Sequence, residues 1–261
     1  MTDLTLKVMT ERKTLENSEV RDDYLALESP LTIYFNEKEI VTLLCTPSHL
    51  EELAVGFLAA EGLISTKDDI VDMLLDEDKG AIWIEGNLQP LAEKTFLKRY
   101  ITTGCGKGTT FYNVLDAQIP TVESDFAVST RSLLTMMQEL QHKSELFQET
   151  GGVHGNALCN AKEMIMFRDD IGRHNATDKI LGRCFLDNVS LSDKMLLTSG
   201  RISSEILIKI AKMGIPIIIS RSAPTALAVK LAEKLGVTIV GFARANRCNV
   251  YTFSERILIE K

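Results

Sequence analysis

No two of the five cysteines, Cys45, Cys105, Cys159, Cys184 and Cys248, lie closer than 25 residues. Neither a disulfide framework nor a CxxC zinc knuckle can therefore be read, and free thiols suit a reducing compartment. No run of about 18 apolar residues occurs, and the opening MTDLTLKVMTERKTLENSEV has charges where a signal peptide needs an apolar core. The expectation is a cytoplasmic protein that is not embedded in a membrane. Basic residues are outnumbered, 29 Lys+Arg against 36 Asp+Glu, for a net charge of −7. That removes the whole-molecule attraction of a general nucleic-acid binder or membrane-surface protein, so an anionic ligand would need a local basic site. Tandem repeats and low-complexity tracts are also missing. What is there is ordinary globular chain: 261 residues, 45% hydrophobic and 25% charged, enough for one large domain or two small ones.

Residues 1 to about 28 are charged and weakly patterned. Leu31–Phe35 and Ile40–Cys45, separated by Asn-Glu-Lys-Glu, read as a hairpin, and Val71–Glu85 around Asp78-Lys79-Gly80 as a second. Between them Ser48-His49-Leu50-Glu51 has the capping-box form and precedes Leu50, Leu53, Ala54, Phe57 and Leu58 at helical spacing, with Gly62 as the stop. A helix is expected over about Thr130–Phe147, its Met pair packing into the core. Beyond it Met164–Phe167, Met195–Thr198, Pro216–Ser220 and Val237–Phe242 are continuous apolar runs, the first three followed by helix-like segments, with Gly214 and Gly236 as helix stops. This predicts βαβαβαβ, a mostly parallel sheet covered on both faces. Pro120 and a Ser/Thr/Asp-rich stretch suggest a boundary near 120 to 130, giving an α+β N-terminal region over 1–125 and an α/β domain over 126–261.

In an open parallel sheet ligands bind beyond the carboxyl ends of the strands. The four segments there are chemically alike: Arg168-Asp169-Asp170-Ile171-Gly172-Arg173-His174-Asn175, Ser199-Gly200-Arg201-Ile202-Ser203-Ser204-Glu205, Ser220-Arg221-Ser222-Ala223-Pro224-Thr225 and Gly241-Phe242-Ala243-Arg244-Ala245-Asn246-Arg247. Each carries arginine, whose planar fork matches phosphate oxygens, and the three that enter helices add Ser, Thr or Asn at a positive helix end. Taken singly, the hydroxyls would also serve as ordinary N-caps and the arginines as surface charges. Four such loops on one edge point to a ligand with several phosphates, a nucleotide or nucleotide-bearing cofactor. GxGxxG and GxxxxGK[ST] are both absent, which excludes a readable Rossmann fingerprint or P-loop.

Cys105 lies in Thr102-Thr103-Gly104-Cys105-Gly106-Lys107-Gly108, without apolar periodicity and beside a lysine. Such surroundings favour the thiolate that does sulfur chemistry, while the other four cysteines sit in apolar or strand-like contexts. His154, in Thr150-Gly151-Gly152-Val153-His154, reads equally as a functional group or a turn residue, and His174 gains weight from Arg173 beside it.

The blocks TGGVH at 150–154, DDIGRHNATDK at 169–179, LLTSGRISSEI at 196–206, SRSAPT at 220–225 and GFAR at 241–244 resemble the formate dehydrogenase accessory sulfurtransferases, the FdhD family, from about residue 28 to the end. The resemblance implies a sulfur carrier that takes sulfane sulfur from a cysteine desulfurase and passes it to the bis(molybdopterin guanine dinucleotide) molybdenum cofactor needed by formate dehydrogenase. GDP would then mimic part of the cofactor. It also implies a cytidine-deaminase-like three-layer C-terminal fold and a homodimer. The family's sulfur-bearing cysteine maps onto Cys105, and its cofactor-binding stretch onto Phe242, Ala243, Arg244, Ala245, Asn246 and Arg247. To these the loop reading adds Arg173, His174, Arg201, Ser203 and Arg221. Many members carry CxxC, whereas this chain has Cys105-Gly106-Lys107-Gly108, which leaves a single-cysteine persulfide and no intraloop disulfide.

Two other readings stand beside this one. A zinc nucleoside deaminase needs HxE and a downstream PCxxC; His49-Leu50-Glu51 has the first form but no PCxxC exists, so no metal is expected. A chaperone that binds the molybdenum cofactor without sulfur chemistry would use the same arginines and no thiol.

Overall fold

The computed structural model describes residues 4–87 and 119–259; Cys105 and its loop lie outside them. At the N-terminus β1 (Thr5–Lys13) and β2 (Ser18–Ala26) pair antiparallel across a turn in which the Thr14 hydroxyl accepts the Asn17 N–H at 3.0 Å. Most of this hairpin is exposed on both faces, which is why its sequence has no clear alternation.

Both expected hairpins form. β3 (Ser29–Phe35) pairs with β4 (Lys38–Cys45), and β5 (Ile70–Asp76) with β6 (Ala81–Gly86); a parallel β3–β6 pairing joins them in the order β4-β3-β6-β5. Leu31, Ile33 and Phe35 alternate inward and bury against Leu53, Ala54, Phe57 and Leu58 of helix α1 (Leu50–Glu61). Each large side chain fully buried there contributes about 1.5–3 kcal/mol. Gly62 ends α1 at φ 77, a conformation that favours glycine. The expected capping box does not form. The N-cap is His49, left-handed and without a side-chain cap bond, while the Ser48 hydroxyl lies 3.3 Å from the Lys179 ammonium. A buried charge needs acceptors more than a helix end needs a cap.

The helix expected over Thr130–Phe147 is two, α2 (Thr130–Lys143) and α3 (Glu145–Thr150), broken at Ser144. That hydroxyl accepts the Phe147 N–H at 2.9 Å and donates to the Asp169 carboxylate. The short strands β7 (Val128–Ser129) and, near the C-terminus, β14 (Ile257–Leu258) pair with each other.

The main sheet has the order β13-β12-β11-β10-β8-β9, with β8 at His154–Cys159, β9 at Met164–Asp170, β10 at Met195–Thr198, β11 at Ile217–Ser220, β12 at Thr238–Arg244 and β13 at Arg247–Val250. Helices α4 (Arg173–Leu186), α5 (Ser204–Lys212) and α6 (Ala226–Leu235) follow β9, β10 and β11. The expectation of a mostly parallel sheet needs correction. β10–β11 and β11–β12 are parallel, but β8–β10, β8–β9 and β12–β13 are antiparallel, so the sheet is mixed. The strand that changes the pattern is β8, which inserts between β9 and β10; its His-Gly-Asn start disguises a buried central strand as loop. The β8–β9 turn is closed by Asn160, whose side-chain Oδ1 accepts the N–H groups of Lys162 and Glu163 at 2.7 and 2.9 Å.

Alternation decides the layers. Leu158, Leu196, Ile218 and Ile239 pack against Ile180 and Leu181 of α4, Ile206, Leu207 and Ile210 of α5, and Ala228 and Ala232 of α6. Ala157, Leu197, Ile219 and Val240 point the other way, onto Leu133, Met136, Met137 and Leu140 of α2. The sheet is thus covered on both faces, and the Met pair of α2 is core.

Candidate anion site at the sheet edge

β9, β10, β11 and β12 run in one direction and end at Asp170, Thr198, Ser220 and Arg244, while antiparallel β8 begins beside them at His154. The topology therefore brings the loops bearing Arg173, His174, Arg201, Ser203, Arg221 and Arg244 to one edge. Arg201, Arg221, Arg244, Ala245, Asn246 and Arg247 are exposed there. The Arg244 guanidinium lies 5.5 Å from the centroid of the Phe242 ring, a cation–π arrangement. Phe242 and Ala245 have positive φ, 52° and 51°, which bend the chain on either side of Arg244. Ala243, between them, is fully buried in the core against α2, so its side chain is turned away from the edge.

The loops brace one another. The Ser220 hydroxyl donates to the Gly200 carbonyl at 2.6 Å and accepts the Ser222 N–H at 2.8 Å, and the Phe242 N–H donates to the Ser222 carbonyl at 3.0 Å. Ser203 and Thr225 are N-caps, accepting the N–H groups of Ile206 and Ala228 at 3.4 and 3.2 Å. Each hydroxyl thus accepts from the helix it starts and keeps its own proton to donate, beside the arginines and the backbone N–H groups. Gly172 begins α4 with no side-chain cap.

Arg173 sits between two histidines. Its Nε is buried and has no hydrogen-bond partner among the described residues. Burial first, then the charges of Lys209 and Arg173, push the His174 imidazolium pKa down to about 3. Its Nε2 stands 3.4 Å from a Glu205 carboxylate oxygen without forming a hydrogen bond. The pair is therefore a neutral ring beside a carboxylate and not a salt bridge. His154, half-buried, is likewise lowered, first by burial and then by Arg173.

Most of the DDIGRHNATDK block faces inward. Asp170 and Lys179 form an ion pair at 2.7 Å with both side chains fully buried. One Asp170 oxygen accepts the Thr46 N–H at 3.1 Å; the other accepts from Gly172 N and Asn175 Nδ2 at 2.8 and 2.9 Å. Asn175 also donates to the Leu44 carbonyl at 2.8 Å, and Lys179 to the Thr46 carbonyl at 3.2 Å. Arg168 makes a two-pronged contact with Glu52 of α1 at 2.6 and 2.8 Å. Lys209 binds both oxygens of Asp178 at 2.6 and 2.7 Å, and burial raises the Asp178 pKa to about 6. These residues fasten the β4–α1 connection to the sheet edge. Sequence reading missed this role, since no pattern of periodicity separates a charge turned into a seam from one turned to a ligand.

Burial also pushes the thiols of Cys45, Cys159 and Cys184 up to about 12 and raises that of half-buried Cys248, which disfavours thiolate at all four. Among the described residues no helix is long and apolar enough to cross a membrane. A cleft of about 330 Å³ lined by Ser65, Lys67, Cys184, Phe185, Leu191 and Met213 lies at the opposite end of the sheet from the arginines.

A mixed sheet covered by helices on both faces, with arginine-bearing loops gathered at one edge, defines an α/β protein whose exposed donors suit an anion. The chain belongs to the FdhD/NarQ family, whose model matches residues 26–258. It is 45% identical over 238 residues to the sulfur carrier protein FdhD of Bacillus subtilis, covering 90% of this chain and 91% of that protein. The sulfur carrier protein FdhD of Listeria innocua is 47% identical over 237 residues, 89% of this chain and 91% of that one. Among solved structures, that of a candidate formate dehydrogenase accessory protein from Desulfotalea psychrophila superposes with a TM-score of 0.83 at 29% identity, covering 98% of this chain and 100% of that chain.

Proposed function

We propose that this protein is a sulfur carrier serving formate dehydrogenase. In this reading the Cys105 thiolate attacks the outer sulfur of a cysteine desulfurase persulfide. A new S–S bond forms on Cys105, the donor's S–S bond breaks, and the desulfurase thiolate leaves. The S–S bond on Cys105 then breaks, with two electrons from a thiol reductant, which leaves Cys105 as thiolate and releases the outer sulfur at the sulfide level to the bis(molybdopterin guanine dinucleotide) cofactor. That cofactor is a substrate held by its phosphates against Arg173, Arg201, Arg221, Arg244 and Arg247, with Phe242 and Asn246 beside them. The chain works in this scheme as a homodimer.

The observation that carries the reading is the identity of about 45% over nine-tenths of the chain to proteins named as sulfur carriers. The clustering of exposed arginines on one edge supports the cofactor part, and the unfavourable settings of the other four thiols support Cys105. Incubation with a desulfurase and cysteine should add the mass of one sulfur atom at Cys105, removable by a reductant. Cys105→Ser should lose both sulfur loading and formate dehydrogenase activation while retaining GDP binding. Activation by the Ser variant equal to that of the unaltered protein would overturn the sulfur step and leave a cofactor chaperone.

A further inference from the structure

At the root of the arginine edge the start of β8 meets the loop after β10. The Ser199 N–H donates to the Gly155 carbonyl at 2.9 Å, and the Gly155 N–H donates to the Ser199 hydroxyl oxygen at 3.1 Å. That oxygen stands 3.4 Å from His154 Nδ1. That hydroxyl accepts from Gly155 and keeps its own proton; donated to Nδ1, that proton would leave the single proton of a neutral imidazole on Nε2. No described residue hydrogen-bonds to that Nε2.

Gly200 brings His154 and Arg173 together. A Cβ on Gly200 would stand 3.1 and 3.2 Å from Arg173 Cβ and Cδ and 3.6 Å from His154 Nδ1. The space a side chain would fill is where the arginine and the ring come side by side. Arg173 Nε is buried with no hydrogen-bond partner among the described residues, and the His154 ring beside that side chain makes its one hydrogen bond to them through Nδ1. A buried guanidinium nitrogen without an acceptor is costly, and in a native site it awaits one.

We propose that His154 is a binding residue of this edge, presenting a neutral ring N–H beside the Arg173 guanidinium to a pyrophosphate oxygen of a dinucleotide ligand. The inference rests on the nucleotide reading of the arginine edge and adds a residue and a protonation state to it. The groups facing the ring are Arg173 and His174 from α4, Asp170 from β9 and the Ser199 hydroxyl. Asp170 is committed to Lys179, Thr46 and Asn175, and His174 is itself held neutral, so Arg173 and burial keep the ring uncharged at neutral pH. A neutral donor leaves Arg173 to supply the charge and makes the site's affinity insensitive to pH around 7.

Diguanosine pyrophosphate is a suitable probe, since no phosphate on it titrates between pH 6.5 and 8. Calorimetry on the full chain should find an affinity constant within twofold or so across that range. His154→Phe should weaken it about tenfold, the scale of one lost hydrogen bond to a charged group, and His154→Gln, which keeps a neutral N–H donor, should restore most of the loss. Wild-type affinity in the Phe variant, with an unchanged melting temperature, would overturn the proposal and leave the arginine edge standing. So would an affinity that climbs about tenfold per unit as pH falls in the unaltered protein but not in the Gln variant, because the ring would then bind as a cation. Absence of binding by the unaltered protein would overturn both this proposal and the nucleotide reading beneath it.

Discussion

Gly56 of α1 and Gly182 of α4 meet backbone to backbone. A Cβ on Gly56 would lie 1.8 Å from the Asp178 carbonyl oxygen and 2.7 Å from Gly182 N; one on Gly182 would lie 1.8 Å from the Glu52 carbonyl oxygen and 2.7 Å from Gly56 N. No side chain can give way at this crossing, because the obstacles are main-chain atoms. Gly56→Ala or Gly182→Ala must force the helices apart and should cost about 1–3 kcal/mol or more, read as a lowered urea midpoint. A midpoint unchanged in both variants would mean that the helices do not cross so closely.

The Asp170–Lys179 pair beside this crossing is fully buried and hydrogen-bonded on all sides. Lys179→Met leaves a buried carboxylate without its partner and should destabilise by about 3–5 kcal/mol. Adding Asp170→Asn should recover part of that loss, since the uncompensated charge goes too. Denaturant unfolding of the two single variants and the double variant measures the coupling directly; simple additivity would deny it.

His174 sets a pH dependence of stability. Its folded pKa, about 3, is below the usual 6.5, so the unfolded chain takes up a proton at a pH where the folded one does not. The stabilisation is complete above about 6.5 and is lost as pH falls towards 3, with a slope of at most about 1.4 kcal/mol per pH unit. His154 and His49 are lowered too and act in the same direction. Between pH 7 and 5, before most carboxylates titrate, His174→Gln should show a shallower decline than the unaltered protein. Equal slopes would show that His174 protonates freely in the folded state.

Arg244 is exposed and lies against the Phe242 ring. If it meets a phosphate, Arg244→Ala should weaken GDP binding by up to about 1.5–3 kcal/mol while guanosine binding stays the same. Equal losses for nucleotide and nucleoside would assign the residue to the base or to folding.

The elements whose side chains face a single environment were legible in the sequence. Leu31, Ile33 and Phe35 alternate, α1 stops at its glycine, and the apolar runs ending at Thr198 and Ser220 are strands with both faces buried. β8 was not legible, because Gly155 and Asn156 are buried in it for reasons that lie on other strands. At the edge, the gathering of arginine loops followed from strand direction alone. The split of DDIGRHNATDK into Arg173 and His174 at the site, with Asp170, Asn175, Asp178 and Lys179 in a seam, did not. It depends on contacts with Leu44, Thr46 and Lys209, from 31 to more than 100 residues away in the chain.

The glycine crossing also bears on synthesis. Gly56 and Gly182 are 126 positions apart, so at about 5–20 residues per second α1 emerges from the ribosome roughly 6–25 s before the helix it fits can follow. During that interval the face of α1 that carries Gly56, Glu52 and Ala60 is uncovered, and the first sheet can shield only its opposite side. Contacts this distant in sequence slow folding, and the nascent N-terminal half is where a holding chaperone would find its apolar surface.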